Sequence, residues 1–153
     1  MVWGAINGDG RLALLLAKDY YSGCQTAAQY LKMLDKSRVI VKVEEKLGYF
    51  KCIQGGDACY RAKITMDWLQ RNNVEVLDWP ALSPDLNPIE NVWGHLTHQV
   101  YGGCKQYSNA KELREAIEDA WEKMGDYYVR DLYDSMPKKI IKVALAQGKK
   151  DRF

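Results

Sequence analysis

No apolar run among the 153 residues approaches the roughly 20 that a helix needs to cross a bilayer, and no basic segment followed by an apolar one opens the chain. Both absences point to a protein that is made and kept inside the cell, without a membrane partner. The four cysteines, Cys24, Cys52, Cys59 and Cys104, include no C-x-x-C pair and have no histidine at zinc-ligand spacing. Buried or half-buried thiols in a reducing compartment are therefore expected rather than disulfides or a metal site. Neither sign of charge dominates: 22 Lys and Arg against 20 Asp and Glu leave +2, too little to argue for a nucleic-acid partner. Gly55-Gly56 and Gly102-Gly103 lack the G-x-G-x-x-G or Walker spacing, so they read as chain breaks and not as phosphate loops. Repeats, low-complexity tracts and linkers are missing too. The length suits one domain with a real hydrophobic core.

Proline is scarce as well, and its placement is informative. Three of the four prolines fall inside W79-P-A-L-S-P-D-L-N-P-I-E-N-V-W93. Pro80, Pro84 and Pro88 each fix φ and remove a backbone donor, so residues 82–87 cannot be the interior of a strand or helix. Asn87 reads as an N-cap, Pro88 as the first helical residue and Glu90 as the residue three beyond the cap. A carboxylate is thus placed in the first turn of a helix that leaves a strand end. The same four residues also spell a capping box, in which Glu90 would bond back to the Asn87 amide.

Around this segment the pattern alternates. Apolar runs at 2–6 and 12–16 flank Asn7-Gly8-Asp9-Gly10, a hairpin signal. Residues 21–37 read as a helix with Ala27, Ala28, Leu31 and Leu34 on one face, Tyr30 being a further candidate. Residues 39–47 are ambiguous between strand and helix and lean to helix. A short strand is expected at 49–54, a helix at 61–72 carrying Ile64, Trp68 and Leu69 inward, and a strand at 74–77. The helix at 88–101 puts Ile89, Val92, Trp93, Leu96 and Val100 on one side. Asn109 caps another helix with Glu112 completing a box, and two short helices, 127–135 and 137–146, close the chain. The order predicts an α/β sandwich: a core over 1–101 and a helical tail over 102–153, together one domain.

Charge is concentrated at the end. From Met136 onward, Lys138, Lys139, Lys142, Lys149, Lys150 and Arg152 face a single acid, Asp151. A balance of +5 can bind phosphate backbones or simply be a solvated helix face. His95 and His98, three apart, lack a third metal ligand and read as surface or groove-lining residues. Trp68, Trp93 and Trp121 read as core, and Trp79 as a candidate groove residue.

The proline segment resembles the catalytic domain of mariner-like transposases in the DDE transposase and integrase superfamily. Trp79-Pro80, the run S83-P-D-L-N-P-I-E90 and Trp93 match that family's pattern. Val2-Trp3-Gly4 is similar to its V-W-G strand, residues 73–78 to the strand before the proline loop, and Ser135–Ile140 with Gly148 to its closing helix. The resemblance implies a ribonuclease-H-like mixed sheet flanked by helices, and a location in the nucleus. It also implies DNA (transposon ends and target) as the substrate, with no small-molecule substrate, and Mg²⁺ or Mn²⁺ as cofactor. Cut-and-paste transposition is implied, through two-metal phosphodiester cleavage and strand transfer by two aspartates and a glutamate.

Glu90 stands at the family's third ligand position. The family separates its second and third ligands by thirty-four residues; counted back from Glu90, that reaches Gly55, whereas Asp57 leaves thirty-two between. Either Asp57 serves as catalytic and metal ligand with Glu90, or it is a turn aspartate and the second ligand is lost. The family's histidine is replaced by Tyr60. The first aspartate precedes the V-W-G motif in the family, where this chain starts, and neither Asp9 nor Asp19 substitutes. The expectations are that the first central strand is missing, that the edge at residues 2–6 favours a homodimer, and that the chain as given is inactive. The alternative is a transposase-derived, non-catalytic DNA-binding or assembly module, with Lys138, Lys139, Lys142, Lys149 and Lys150 on phosphate. A third is a decayed reading frame with no selected role.

Overall fold

The computed structural model describes residues 2–16, 25–79 and 83–145. The expectations that fall on residues 17–24, on 80–82 and on Lys149, Lys150 and the rest of 146–153 lie outside them. The described elements are β1 (Val2–Asn7), β2 (Gly10–Leu16), α1 (Ala27–Ser37), α2 (Val39–Leu47), β3 (Lys51–Cys52), α3 (Ala58–Arg61), α4 (Lys63–Arg71), β4 (Glu75–Val76), α5 (Pro88–Tyr101), α6 (Ala110–Lys123) and α7 (Asp126–Leu145), with a 3-10 turn at Pro84–Leu86. The α/β order is the expected one. The sheet differs: among the described residues β1 pairs with β2 and β3 with β4, as two separate sheets of two strands. No described helix is long and apolar enough to cross a membrane. The chain divides into two compact units, one made of 1–3 and 15–83, the other of 4–14 and 84–153.

In the first unit, Thr26 opens α1 with a capping box, its hydroxyl accepting from the Gln29 amide while the Gln29 side chain accepts from the Thr26 amide. Tyr30 and Leu34 are the residues α1 buries, whereas Ala28, expected on that face, is exposed. Arg38 takes the left-handed conformation (φ 52°) and turns the chain directly into α2, whose Val39 and Val43 are buried four apart. That spacing decided the ambiguous segment in favour of helix. The helix expected over 61–72 is α4, beginning at Lys63, and a separate one-turn helix, α3, precedes it. Ala62 is extended (ψ 138°), and the Thr65 hydroxyl donates to the Cys59 carbonyl at 2.6 Å across the break. Thr65 and Leu69 therefore face inward and Ile64 is 53% exposed, the reverse of its predicted placement. Tyr30 packs edge-on against Tyr60 at 4.8 Å and accepts a hydrogen bond from the Gln54 amide.

The β3–β4 pair is parallel, two residues long, and held mainly by charge. Lys51 Nζ donates to Glu75 at 2.7 Å, the Tyr49 hydroxyl donates to the other carboxylate oxygen, and Leu77 N–H reaches the Cys52 carbonyl. The Lys51 hydrogen bond, then that of Tyr49, holds the Glu75 carboxyl below its usual range.

In the second unit, Val92, Leu96 and Val100 of α5, Ala120, Trp121 and Met124 at the end of α6, and Val129 of α7 form the core. Trp121 is buried as expected, while Trp68 and Trp93 are only half-buried. The hairpin tip docks on the helices. Gly10 takes φ 138° with the Asp126 carboxyl where a Cβ would sit. Arg11 donates through Nε to Asp126 at 2.9 Å and through a guanidinium nitrogen to the Trp121 and Glu122 carbonyls at the end of α6. Its cation thus meets the negative end of one helix and the first-turn acid of the next. Arg130 and Tyr133 of α7 donate to the Asp9 and Ile6 carbonyls. The two closing helices of the sequence reading are one. Pro137 lies inside α7, and the buried Val129 and Met136 anchor the turns that lead into it, so the helix runs on through a residue that ordinarily costs roughly 3 kcal/mol at an interior position.

Cysteine placement is mixed. Cys59 is buried, Cys52 is half-buried with its thiol pushed up to about 11 by burial, and Cys104, expected to be covered, is exposed.

Two outcomes follow from these contacts. Arg11→Met removes charged hydrogen bonds from a mostly covered site and is expected to lower stability by about 2 kcal/mol, read by urea denaturation. Glu75 has a depressed pKa, so its contribution is present above the ordinary carboxylate range and is lost as pH falls through the folded-state value. The protection factor of the Leu77 amide, which removes the pH dependence of intrinsic exchange, should fall on acidification, and Glu75→Gln should show the lowered protection already at neutral pH.

Candidate functional site

The proline segment enters α5 as its sequence demands. Pro84–Leu86 makes the 3-10 turn, with Leu86 buried, and Asn87 N–H donates back to the Pro84 carbonyl at 2.9 Å. Asn87 is extended and Pro88 begins the helix, its ring buried. Glu90 then stands in the first turn, exposed, about a third of a turn from the face that Val92, Leu96 and Val100 bury. Trp93, the aromatic of the motif, lies against Gly4 of the Val2-Trp3-Gly4 strand. A Cβ on Gly4 would come within 2.8 Å of the indole, so the glycine of one motif piece makes room for the tryptophan of the other.

The capping box is not made at this helix. Asn87 gives no side-chain cap, and among the described residues the Glu90 carboxylate has no hydrogen-bond or ion-pair partner. Glu112 shows what a committed carboxylate looks like: it accepts from the Ser108 amide and the Asn109 side chain, while Asn109 accepts from the Lys111 and Glu112 amides. Glu90 is left as a charge at a helix N-terminus, favoured there by the dipole and available to a ligand.

Asp57 is the N-cap of the one-turn helix α3. Its carbonyl accepts from Tyr60 and Arg61, but its side chain makes no cap, and it is exposed. Gly55 has no positive φ, and a Cβ there would meet only the Tyr60 ring at an ordinary 3.5 Å. Asp57 belongs to the first compact unit and Glu90 to the second. Among the described residues no three His, Cys, Asp or Glu side chains converge in a way that could hold a metal ion. The residues described do not by themselves fit the two-cation site that the resemblance implies.

The other candidates fall on surfaces. Lys138 and Lys142 are exposed on α7 and Lys139 is half-covered. Asp9 is a turn residue bonded to Asn7. His98 is exposed, and His95 is half-buried, its ring 4.6 Å from that of Tyr128. Trp79 is half-buried, its indole N–H enclosed without a partner among the described residues. Sequence reasoning missed the cavity beside His95. Its walls come from three helices, and only the isolated i, i+3 histidines hinted at it.

Comparison with known proteins sets these positions in a family. The model of the DDE superfamily endonuclease family matches residues 2–114. The chain is 32% identical over 148 residues to the Tc3 transposase of Caenorhabditis elegans, covering 97% of this chain and 44% of that protein. It thus spans less than half the length of that relative. Among solved structures, the Mos1 transposase catalytic domain with raltegravir and Mn superposes with a TM-score of 0.81 at 18% identity, over 99% of this chain and 76% of that one. A pre-cleavage Mos1 transpososome superposes at 0.82, also 18% identical, over 99% and 44%. These two likenesses establish the fold.

The contrast between the two helix-start glutamates is measurable. Glu90→Gln is expected to change stability by less than about 1 kcal/mol, the size of a dipole interaction. Glu112→Ala should cost about 1 kcal/mol or more through the lost hydrogen bonds to Ser108 and Asn109. Urea unfolding of both variants checks it, and a larger loss at Glu90 would return that residue to a structural role.

Proposed function

The chain belongs to the DDE superfamily endonuclease family, as a mariner-like transposase domain, and from that premise we propose that it acts on DNA as part of a cut-and-paste transposase. The observation that carries the reading is Glu90: the last residue of the S83-P-D-L-N-P-I-E90 run, exposed in the first turn of α5, its carboxylate without a partner among the described residues. In this reading Glu90 occupies the third ligand position of the family, and Mg²⁺ or Mn²⁺ is the hard cation such a carboxylate would help to hold. The metal, when bound, would supply charge stabilisation and an activated oxygen for phosphodiester cleavage.

We further propose that the chain as given does not cleave DNA. Supporting this are the residue counts, which put Gly55 at the family's second ligand position, and the absence of a converging ligand group among the described residues. Asp57 is the only acid close enough in sequence to stand in, and no step is assigned to it. The two small sheets favour the further reading that the family's first central strand is not contributed by the described residues. Location in the nucleus and action as a homodimer belong to the same proposal. So does the arrangement of the chain as a single domain with a helical tail after residue 101.

A second reading has its own observation. Lys138 and Lys142 stand exposed four apart on α7, spaced to meet phosphate, and the reading extends by sequence to Lys139, Lys149 and Lys150. A non-catalytic DNA-binding module would use these residues without Glu90.

One experiment separates the two. Supercoiled plasmid is incubated with the protein and Mn²⁺ or Mg²⁺, and binding is followed across a salt series. Nicking is expected to stay at background, with affinity falling steeply as salt rises and more shallowly in a Lys138→Ala/Lys142→Ala variant. Nicking that disappears in Glu90→Gln would overturn the inactivity and assign the carboxylate a catalytic role. Affinity that is flat in salt would remove DNA as the partner.

A further inference from the structure

The second compact unit contains a cavity of about 320 Å³ between α5, α6, the Gly102–Ser108 connection and the start of α7. It is at the lower end of the range for small-ligand sites. Its floor is the apolar core of α5 and α6. Its walls are chemically different. His95 and Tyr128 stack at 4.6 Å with their planes 33° apart and present one aromatic wall. Tyr127 is the second: the residue is 72% exposed, and its ring lies over Gly125, at a place where a Cβ on that glycine would collide with the ring itself. The missing side chain at 125 is what lets an aromatic ring lie against the cavity rim.

Polar groups complete the site. Gln99 offers a carbonyl and an amide. Lys123 and Asp119 pair at 2.7 Å and cancel locally, which leaves Lys105, with no ion-pair partner among the described residues, to set the sign of the cavity. Aromatic faces, a hydrogen-bonding amide and one uncompensated cation in a space of this size match a flat heterocycle attached to a phosphate.

We propose that this cavity binds one unpaired nucleotide of a DNA strand, the base stacking on Tyr127 or the His95–Tyr128 pair and the phosphate meeting Lys105. The inference rests on the DNA reading above and adds to it a subsite on unit 2 away from Glu90 that favours single-stranded over duplex DNA. Stacking on an exposed aromatic ring tolerates any base, so the site confers strand preference and little sequence preference.

The test uses a short single-stranded oligonucleotide carrying 2-aminopurine, whose fluorescence is quenched on stacking, with blunt duplex and free deoxyadenosine monophosphate as the other arms. The wild-type protein is expected to quench the probe and to bind it more tightly than the free nucleotide. Tyr127→Ala should weaken single-strand binding about tenfold, the size of one lost base stack, and leave duplex affinity unchanged. Lys105→Ala should lower the single-strand salt slope by roughly 0.7. Because Tyr127 is exposed, its loss spares the fold, and Gly125→Ala, which displaces the ring without removing it, should weaken quenching in the same direction. Wild-type quenching and affinity in Tyr127→Ala and Lys105→Ala, with DNA still bound, would overturn the subsite and leave the DNA reading standing. A free nucleotide bound as tightly as the strand would overturn it in favour of a mononucleotide site. Failure of the wild type to bind either DNA form would overturn the subsite together with the reading on which it rests.

Discussion

The rotation of α5 is the constraint on which the rest of the second unit depends. Val92, Leu96 and Val100 are enclosed to within 4% of complete burial, and together they fix which side of the helix meets α6 and α7. Each aliphatic side chain buried at this level is worth roughly 1.5–3 kcal/mol, far more than any polar contact along the helix. With that face fixed, Glu90 must look outward, Trp93 must meet Gly4, and His95 must stack on Tyr128. The carboxylate and the cavity wall follow from one hydrophobic decision.

Where apolar burial is thin, charge takes over. The hairpin tip brings little core of its own, and Arg11 secures it by meeting the carbonyl end of α6 and the first-turn carboxylate of α7 at once. In the first unit the two-residue strands β3 and β4 cannot hold each other through backbone bonds alone, and Lys51, Tyr49 and Glu75 bridge them. Arg11 is largely covered and so is shielded from salt, whereas the Lys51–Glu75 pair is about half exposed on each side and is screened. High ionic strength therefore weakens the β3–β4 pair well before it releases the hairpin.

Much of the fold was legible because it is written in local terms. Asn7-Gly8-Asp9-Gly10 demanded a turn, Asn109 with Glu112 made its cap, and the stripe of α5 was read residue for residue. The misreadings came where a tertiary contact outweighed local propensity. Pro137 should have ended a helix, but α7 runs through it, anchored on its N-terminal side by the buried Val129 and Met136. Ile64 looked like core by period, yet the break at Ala62 rotates α4 so that Thr65 turns inward. The two glutamates three residues past a helix cap looked alike in sequence and behave differently. The Asn109 side chain accepts from the Lys111 and Glu112 amides and donates to Glu112, while at α5 the Asn87 side chain forms no cap. The cavity was invisible because its walls come from residues up to thirty-three positions apart, joined only by helix packing.

Gly55 sharpens the question of ancestry against activity. Some glycines in this chain are dictated by structure: Gly4 by Trp93, Gly10 by its positive φ and the Asp126 carboxyl. Gly55 is dictated by neither. Its backbone is accessible to any residue, and the space at its Cβ is bounded only by the Tyr60 ring at van der Waals distance. Packing therefore does not dictate glycine at this position, which is the one that the residue count back from Glu90 proposes for the second ligand. The Asp57 side chain, two residues on, likewise makes no cap. Two-residue displacement at a strand end corresponds to about 6 to 7 Å of chain, several times the tolerance of a metal–oxygen bond. The fold constrains these positions so little that the chemistry of the chain can be altered there without altering the fold. That is why a family likeness at the level of structure carries so little information about whether the site still works.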